Sequence, residues 1–153
     1  LKMLIDERTE FLDATPLNTG AAGTYLLGDV IDLGAVASGD LGNGQPMYLV
    51  ITVDTAATSA GAATGNFILA SDAQAAIATD GSATVHAQTG AQALSGLTTA
   101  NRFVIPLPLQ GPVYERYLGI LQTTGTAAFT AGKLNAFLTL APAGWTAYPD
   151  AVN

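Results

Sequence analysis

Residues 113–141 read V-Y-E-R-Y-L-G-I-L-Q-T-T-G-T-A-A-F-T-A-G-K-L-N-A-F-L-T-L-A, and the reading of this stretch decides the fold. In its first half Tyr114, Leu118 and Ile120 fall on one face of an extended chain, and Tyr117, Gly119 and Leu121 on the other. Successive side chains of a strand point to opposite faces, so apolar groups on both describe a central strand covered on both sides. In the second half Leu134, Ala136, Leu138 and Leu140 recur at strict period two, as on a strand with one buried face. Gly125 and Gly132 bracket the connection and supply the backbone freedom of a turn, so the pair reads as one long β-hairpin.

Outward from this pair, strands are predicted over residues 24–33, 47–54, 66–71, 83–88 and 102–107. A glycine-rich loop at 34–46 and an Ala/Thr/Gly loop at 55–65 separate them, and residues 72–80 read as one irregular helical turn. Pro106 and Pro108 cannot donate to a sheet ladder, which confines 102–107 to an edge or an end. No repeat of fixed period is present. The expected architecture is all-β: a jelly-roll-like antiparallel β-sandwich of seven to eight strands in a single domain. Residues 14–144 are assigned to the sandwich, 145–153 to a C-terminal tail and 1–13 to an N-terminal arm or short helix. In that arm Leu4, Ile5, Phe11 and Leu12 oppose Asp6, Glu7, Glu10 and Asp13.

Composition narrows the function. A chain of 153 residues can bury about 68–70% of its unfolded surface and needs no covalent staple. It has no cysteine, which excludes disulfides, thiolate zinc sites and thiol catalysis and is consistent with assembly in a reducing cytoplasm. The formal net charge is −7, with Lys2, Arg8, Arg102, Arg116 and Lys133 the only cations, so no basic patch is available to neutralise phosphates and direct nucleic-acid binding is not expected. No apolar run is long enough for a membrane helix, and the opening Leu1-Lys2-Met3-Leu4-Ile5 passes at once into Asp6-Glu7, too short and too acidic for a signal peptide. Only 11% of residues are charged. A surface of Ala, Gly, Thr and Ser in place of Lys and Glu loses little side-chain entropy when covered, which suits a protein that packs against others.

Residues that could carry chemistry are sparse. His86 is the only histidine and has no G-x-S-x-G elbow to serve, so a structural role is expected. Asp29 and Asp32 flank Val30-Ile31 and would project to opposite faces of a regular strand, which is wrong for a catalytic pair. Asp40-Leu41-Gly42-Asn43-Gly44 mimics part of a calcium loop, but Ile51 stands where the closing acid belongs. Asp72 and Asp80 read as turn caps. No catalytic residue, metal ligand or cofactor is expected. The candidate interface residues are Leu4, Ile5, Phe11, Arg102, Arg116, Trp145 and Tyr148. The two arginines lie in or beside apolar strands, where a carboxylate or carbonyl partner is needed, and the aromatics near the end suit a docking anchor or a sugar-stacking platform.

The segments D-V-I-D-L-G (29–34), D-L-G-N-G-Q-P-M-Y-L-V (40–50), N-R-F-V-I-P-L-P (101–108), E-R-Y-L-G-I (115–120), T-G-T-A-A-F-T-A-G-K-L-N-A-F-L (124–138) and Y-P-D (148–150) are individually soft. In this order and spacing they resemble the cement, or decoration, proteins of tailed-phage capsids of the Bbp16 type. Residues 55–65 and 72–92 depart from that pattern. The resemblance implies a jelly-roll domain on the outer surface of the virion, assembled in the host cytoplasm. Its partner would be the major capsid protein, whose neighbouring subunits it would bridge, and it would self-associate as a symmetric dimer or trimer. It brings no active site with it. The alternative is a carbohydrate- or host-recognition β-sandwich of a phage fibre or lectin type, which would show exposed aromatics and often calcium.

Overall fold

The computed structural model describes residues 7–34, 41, 45–109 and 111–142. The described residues form nine strands, with 3-10 turns at Glu7–Thr9 and Leu94–Gly96: β1 (Glu10–Pro16), β2 (Gly23–Asp32), β3 (Tyr48–Thr58), β4 (Thr64–Asp72), β5 (Thr84–Gln88), β6 (Gln92–Ala93), β7 (Arg102–Pro106), β8 (Tyr117–Gly125) and β9 (Ala131–Thr139). One sheet has the order β1-β9-β3-β7 and the other β2-β8-β4-β5, with the two-residue β6 on β4; every ladder is antiparallel. The pairs β1·β9, β2·β8, β3·β7 and β4·β5 nest inside one another, so the chain is one long hairpin rolled up until β3 meets β9 and β4 meets β8. That is a jelly roll, and the sandwich is a single domain.

The interior is built by alternation. Phe67, Leu69, Leu118 and Ile120 of one sheet face Leu49, Ile51, Leu134 and Ala136 of the other, each fully buried. β8 is a central strand with both faces covered, as its pattern predicts. On its outer face Leu121 joins Ala70 and Ile77, the last from the 73–83 turn. Gly119 makes the space: a Cβ there would sit 2.7 Å from Ile77 Cδ1. Asp72 holds the turn over the sheet by accepting the Gln74 and Ala78 N–H groups at 3.1 and 2.9 Å. β7 is an edge strand, as its prolines require.

Three readings need correction. β8 and β9 are not a hairpin: they belong to different sheets, and residues 126–130 arch between the layers. The inward faces of both strands have to meet across the core rather than lie side by side. Phe129, 1% exposed, plugs the arch against Gly65. The sandwich begins at Glu10 rather than at residue 14, because β1 takes in most of the segment assigned to an arm. Register shifts at Glu10/Leu12 and Leu12/Thr15 destroy its period-two signal and bury the consecutive Phe11 and Leu12. Finally, β3 runs on to Thr58 and β4 starts at Thr64, leaving residues 59–63 as the loop where 55–65 was expected.

Candidate binding surface

The rolled topology sorts every connection to one of two poles. Residues 17–22, 59–63, 89–101 and 126–130 lie at one pole, where Gly23 pairs with Thr124 and Thr64 with Gly125. At the other, the end of β2, the start of β3, residues 73–83, the end of β7 and the start of β8 come together, beside the start of β1 and the end of β9; there Asp32 and Asp72 both pair with Tyr117.

The first pole has no Asp, Glu, Lys or Arg in any of its four connections. Short polar bonds tie those loops to one another. Ser59 Oγ donates to Ala128 O at 2.7 Å, and the Thr58 and Thr130 hydroxyls lie 2.8 Å apart. The Ala57 N–H donates to Leu97 O at 2.9 Å. Gln122, wholly buried in the core, reaches this pole: its Nε2 donates to Asn18 O at 3.0 Å and to Thr124 Oγ1 at 2.7 Å, while its Oε1 accepts the Asn18 N–H at 2.9 Å. A buried amide with its hydrogen bonds made fixes one loop geometry. Nothing in the apolar pattern signals this residue, since Gln122 interrupts the face of Leu118 and Ile120.

The second pole holds the charge. Asp32 and Arg116 form a two-pronged ion pair, Oδ1–Nε and Oδ2–Nη2 both 2.9 Å, with the guanidinium 5.0 Å from the Tyr117 ring centre. The hydrogen bonds from Arg116, with one from the Gly34 N–H, hold the Asp32 carboxyl down at about 2, and Asp32 raises Arg116 in turn. The pair is nearly half exposed, so it orders β2 against β8 more than it stabilises. Asp80 is lowered by the Ser82 hydroxyl and N–H it accepts. An open groove of about 540 Å³ is lined by Glu7, Arg8, Glu10 and residues 29–32. Asp29 and Asp32 both border it, as do Val30 and Ile31 between them; a register shift between Leu27 and Ile31, with Gly28 at φ 61°, interrupts the pairing of β2 with β8.

Between the sheets at this pole lies a polar knot. Ser71 Oγ sits 2.7 Å from His86 Nε2 and accepts the Glu115 N–H at 3.1 Å. Tyr114 stacks on the imidazole, ring centres 3.8 Å apart. Thr84 Oγ1 donates to the Glu115 carboxylate at 2.8 Å. Burial lowers the His86 pKa, opposed in part by Glu115. A Ser–His contact invites a catalytic reading, but Ser71 is wholly inaccessible and its oxygen already accepts a backbone donor. The knot joins β4, β5 and the 107–116 connection.

The candidate interface residues separate. Phe11, 1% exposed, belongs to the core and is withdrawn as an arm anchor. Arg116 has the carboxylate partner its position demanded. Arg102 is exposed at the start of edge strand β7. Leu4, Ile5, Trp145 and Tyr148 lie outside the described residues, as does most of the calcium-like fragment 40–44. Among the described residues no group of three or more His, Asp or Glu is placed to hold a metal, and no helix is long and apolar enough to cross a membrane. Sequence reasoning missed the stretch between Leu107 and Tyr114, where Leu109 and Val113 are 59% and 60% exposed. The prolines that carried the edge-strand reading were its signal.

Two comparisons bear on relatives. The profile of a family described as Bbp16 matches residues 13–138, nearly the whole rolled sandwich. No curated protein matches the chain.

Proposed function

The chain belongs to the Bbp16 family, and from that premise we propose that it is a capsid cement protein: a structural subunit that binds the outside of a tailed-phage head and bridges neighbouring major capsid subunits. The observation that carries this reading is the division of the surface into poles, one with no charged residue in its connections and tied by short polar bonds, the other acidic with exposed apolar side chains. Two separate contact surfaces are what a bridging subunit needs. The polar groups that could suggest catalysis are spent inside the fold: Ser71 and His86 on each other, Asp32 on Arg116, Asp72 and Asp80 on their own turns. A net charge of −7 favours a basic protein surface and disfavours packaged nucleic acid.

In this reading copies associate as symmetric dimers, with trimers as the alternative closed form. The uncharged pole is where two copies of the same acidic chain approach with least repulsion. The test is to add the purified chain to heads that lack it. Saturable binding in fixed proportion to the major capsid protein, with density on the outer shell in cryo-electron microscopy, is the expected result. Binding to glycans in place of heads overturns the reading.

A further inference from the structure

We infer that the connection from Leu107 to Tyr114 is a docking finger, with Leu109 and Val113 entering an apolar socket bordered by Lys or Arg on a protein partner. The inference rests on the capsid reading and names the surface that carries it.

Three independent features of the finger agree. Its tip is apolar where loop tips are ordinarily polar: Leu109 and Val113 are 59% and 60% exposed, the two most exposed large apolar side chains among the described residues. Leu140, at 57%, stands at the same pole just past the end of β9. The roots of the finger are fixed. Leu107 is 7% exposed and its N–H donates to Met47 O at 2.8 Å. Tyr114 is 3% exposed and stacked on His86, and the next N–H, that of Glu115, donates to Ser71 Oγ. Between the roots Pro108 and Pro112 each have a locked φ, and Gly111, at φ 147°, takes a conformation that other residues rarely adopt. An apolar tip on a rooted loop with two locked prolines loses little conformational entropy on docking. This also gives the buried polar knot a use, since it anchors the finger.

The charge around the finger selects the partner. Glu115 follows it directly, Asp72 ends β4 and Asp80 lies on the 73–83 connection that follows, and Asp32 is already neutralised by Arg116. A second copy of the chain would bring the same acids to the contact, so self-association does not fit this pole. Joining by strand addition is also blocked. The edge strands carry bulges in β1, β2 and at His86 in β5, and β7 is five residues long and ends in proline. What fits is a socket that takes two aliphatic side chains within a basic border.

The experiment uses the full chain, heads lacking it, and the double variant Leu109→Ser/Val113→Ser, with Val85→Ser, also exposed but on β5, as control. The double variant should melt like the parent and bind heads at least about tenfold more weakly, while the control binds like the parent. Binding of the parent should weaken as salt rises. Hydroxyl-radical footprinting of the bound parent should show Leu109 and Val113 protected, a readout that does not depend on any variant folding. If the parent binds and the double variant binds equally, or the two side chains stay reactive when bound, the finger is wrong and the capsid reading survives. Salt-independent binding overturns the basic border. If the parent does not bind heads at all, the capsid reading fails and takes the finger with it.

Discussion

The two poles of this sandwich are made by the same strands, yet they solve different problems. Each is closed by one buried aromatic ring, Phe129 at the uncharged pole and Tyr114 at the acidic one. Around Phe129 the loops are rich in Ala, Gly, Thr and Ser and are tied by hydroxyl and amide bonds, with no Asp, Glu, Lys, Arg or His among them. Around Tyr114 the loops carry carboxylates and a proline-rich finger, and the buried imidazole of His86 on β5 stacks on the ring. One end is ordered without charge in its loops, and the other combines charge with exposed apolar groups.

The comparison breaks most sharply at the rings. Phe129→Ala removes a wholly enclosed side chain from the arch and should cost about 3–5 kcal/mol in denaturant unfolding. Tyr114→Ala should cost somewhat less, about 3 kcal/mol, and should also release the finger. If Tyr114→Ala unfolds like the parent, the finger is not rooted in the core and the poles differ less than argued. Next comes Gln122→Ala, which leaves the half-buried Asn18 N–H and C=O without their partner and should cost roughly 1–3 kcal/mol. Amide exchange should quicken in residues 17–22 and stay unchanged in the finger.

Acid should loosen one pole first. Burial depresses His86, so as pH falls through its ordinary 6.5 the unfolded chain takes up the proton more readily than the fold. Stability tied to the neutral ring is therefore complete above that value and declines below it. Glu115, the carboxylate facing the ring, softens the loss. Asp32, held at about 2 against an ordinary 3.8, contributes above 3.8 and is lost as pH falls towards 2. Two acid steps should appear by NMR in residues 84–88 and 107–117, with residues 59–63 and 126–130 unmoved until global unfolding. His86→Gln should remove the upper step alone. A first step that reaches both poles together would show that the poles are not independent.

How much of this the sequence disclosed follows from where periodicity survives. β8, β3 and β7 kept their alternation and were legible, as was the edge position that Pro106 enforces. β1 was not, because its bulges put Phe11 and Leu12 side by side in the core, and a consecutive apolar pair looks like one face of a helix. The interruption of β2 at Gly28 was equally invisible in the apolar pattern. The β8–β9 arch was read as a hairpin because two glycines and a Thr-rich turn do not say whether the next strand pairs or crosses. Of the site, the need of Arg116 for a carboxylate was legible. The knot of Ser71, His86, Tyr114 and Glu115 was not, since it joins segments that only the roll brings together.

The smallest effect on folding, and the most informative about assembly, is expected at the uncharged pole. Ala62 and Ser95 are exposed there, on two different connections. Exposed substitutions away from caps and special backbone geometry change stability by no more than about 0.5 kcal/mol. Ala62→Glu with Ser95→Glu should therefore melt like the parent. Self-association is another matter. A symmetric contact brings each new carboxylate towards its own copy across the axis, so one substitution acts at least twice. Like charges placed in a partly desolvated contact repel more strongly than on an open surface. Analytical ultracentrifugation should show the parent associating and the double variant shifted towards monomer, with the shift shrinking as salt is raised. A matched pair at the other pole, Thr79→Glu with Ser82→Glu, should leave association unchanged. If the second pair dissociates the oligomer and the first does not, the copies meet through the acidic pole, and the assignment of one pole to sister copies and the other to the shell is reversed.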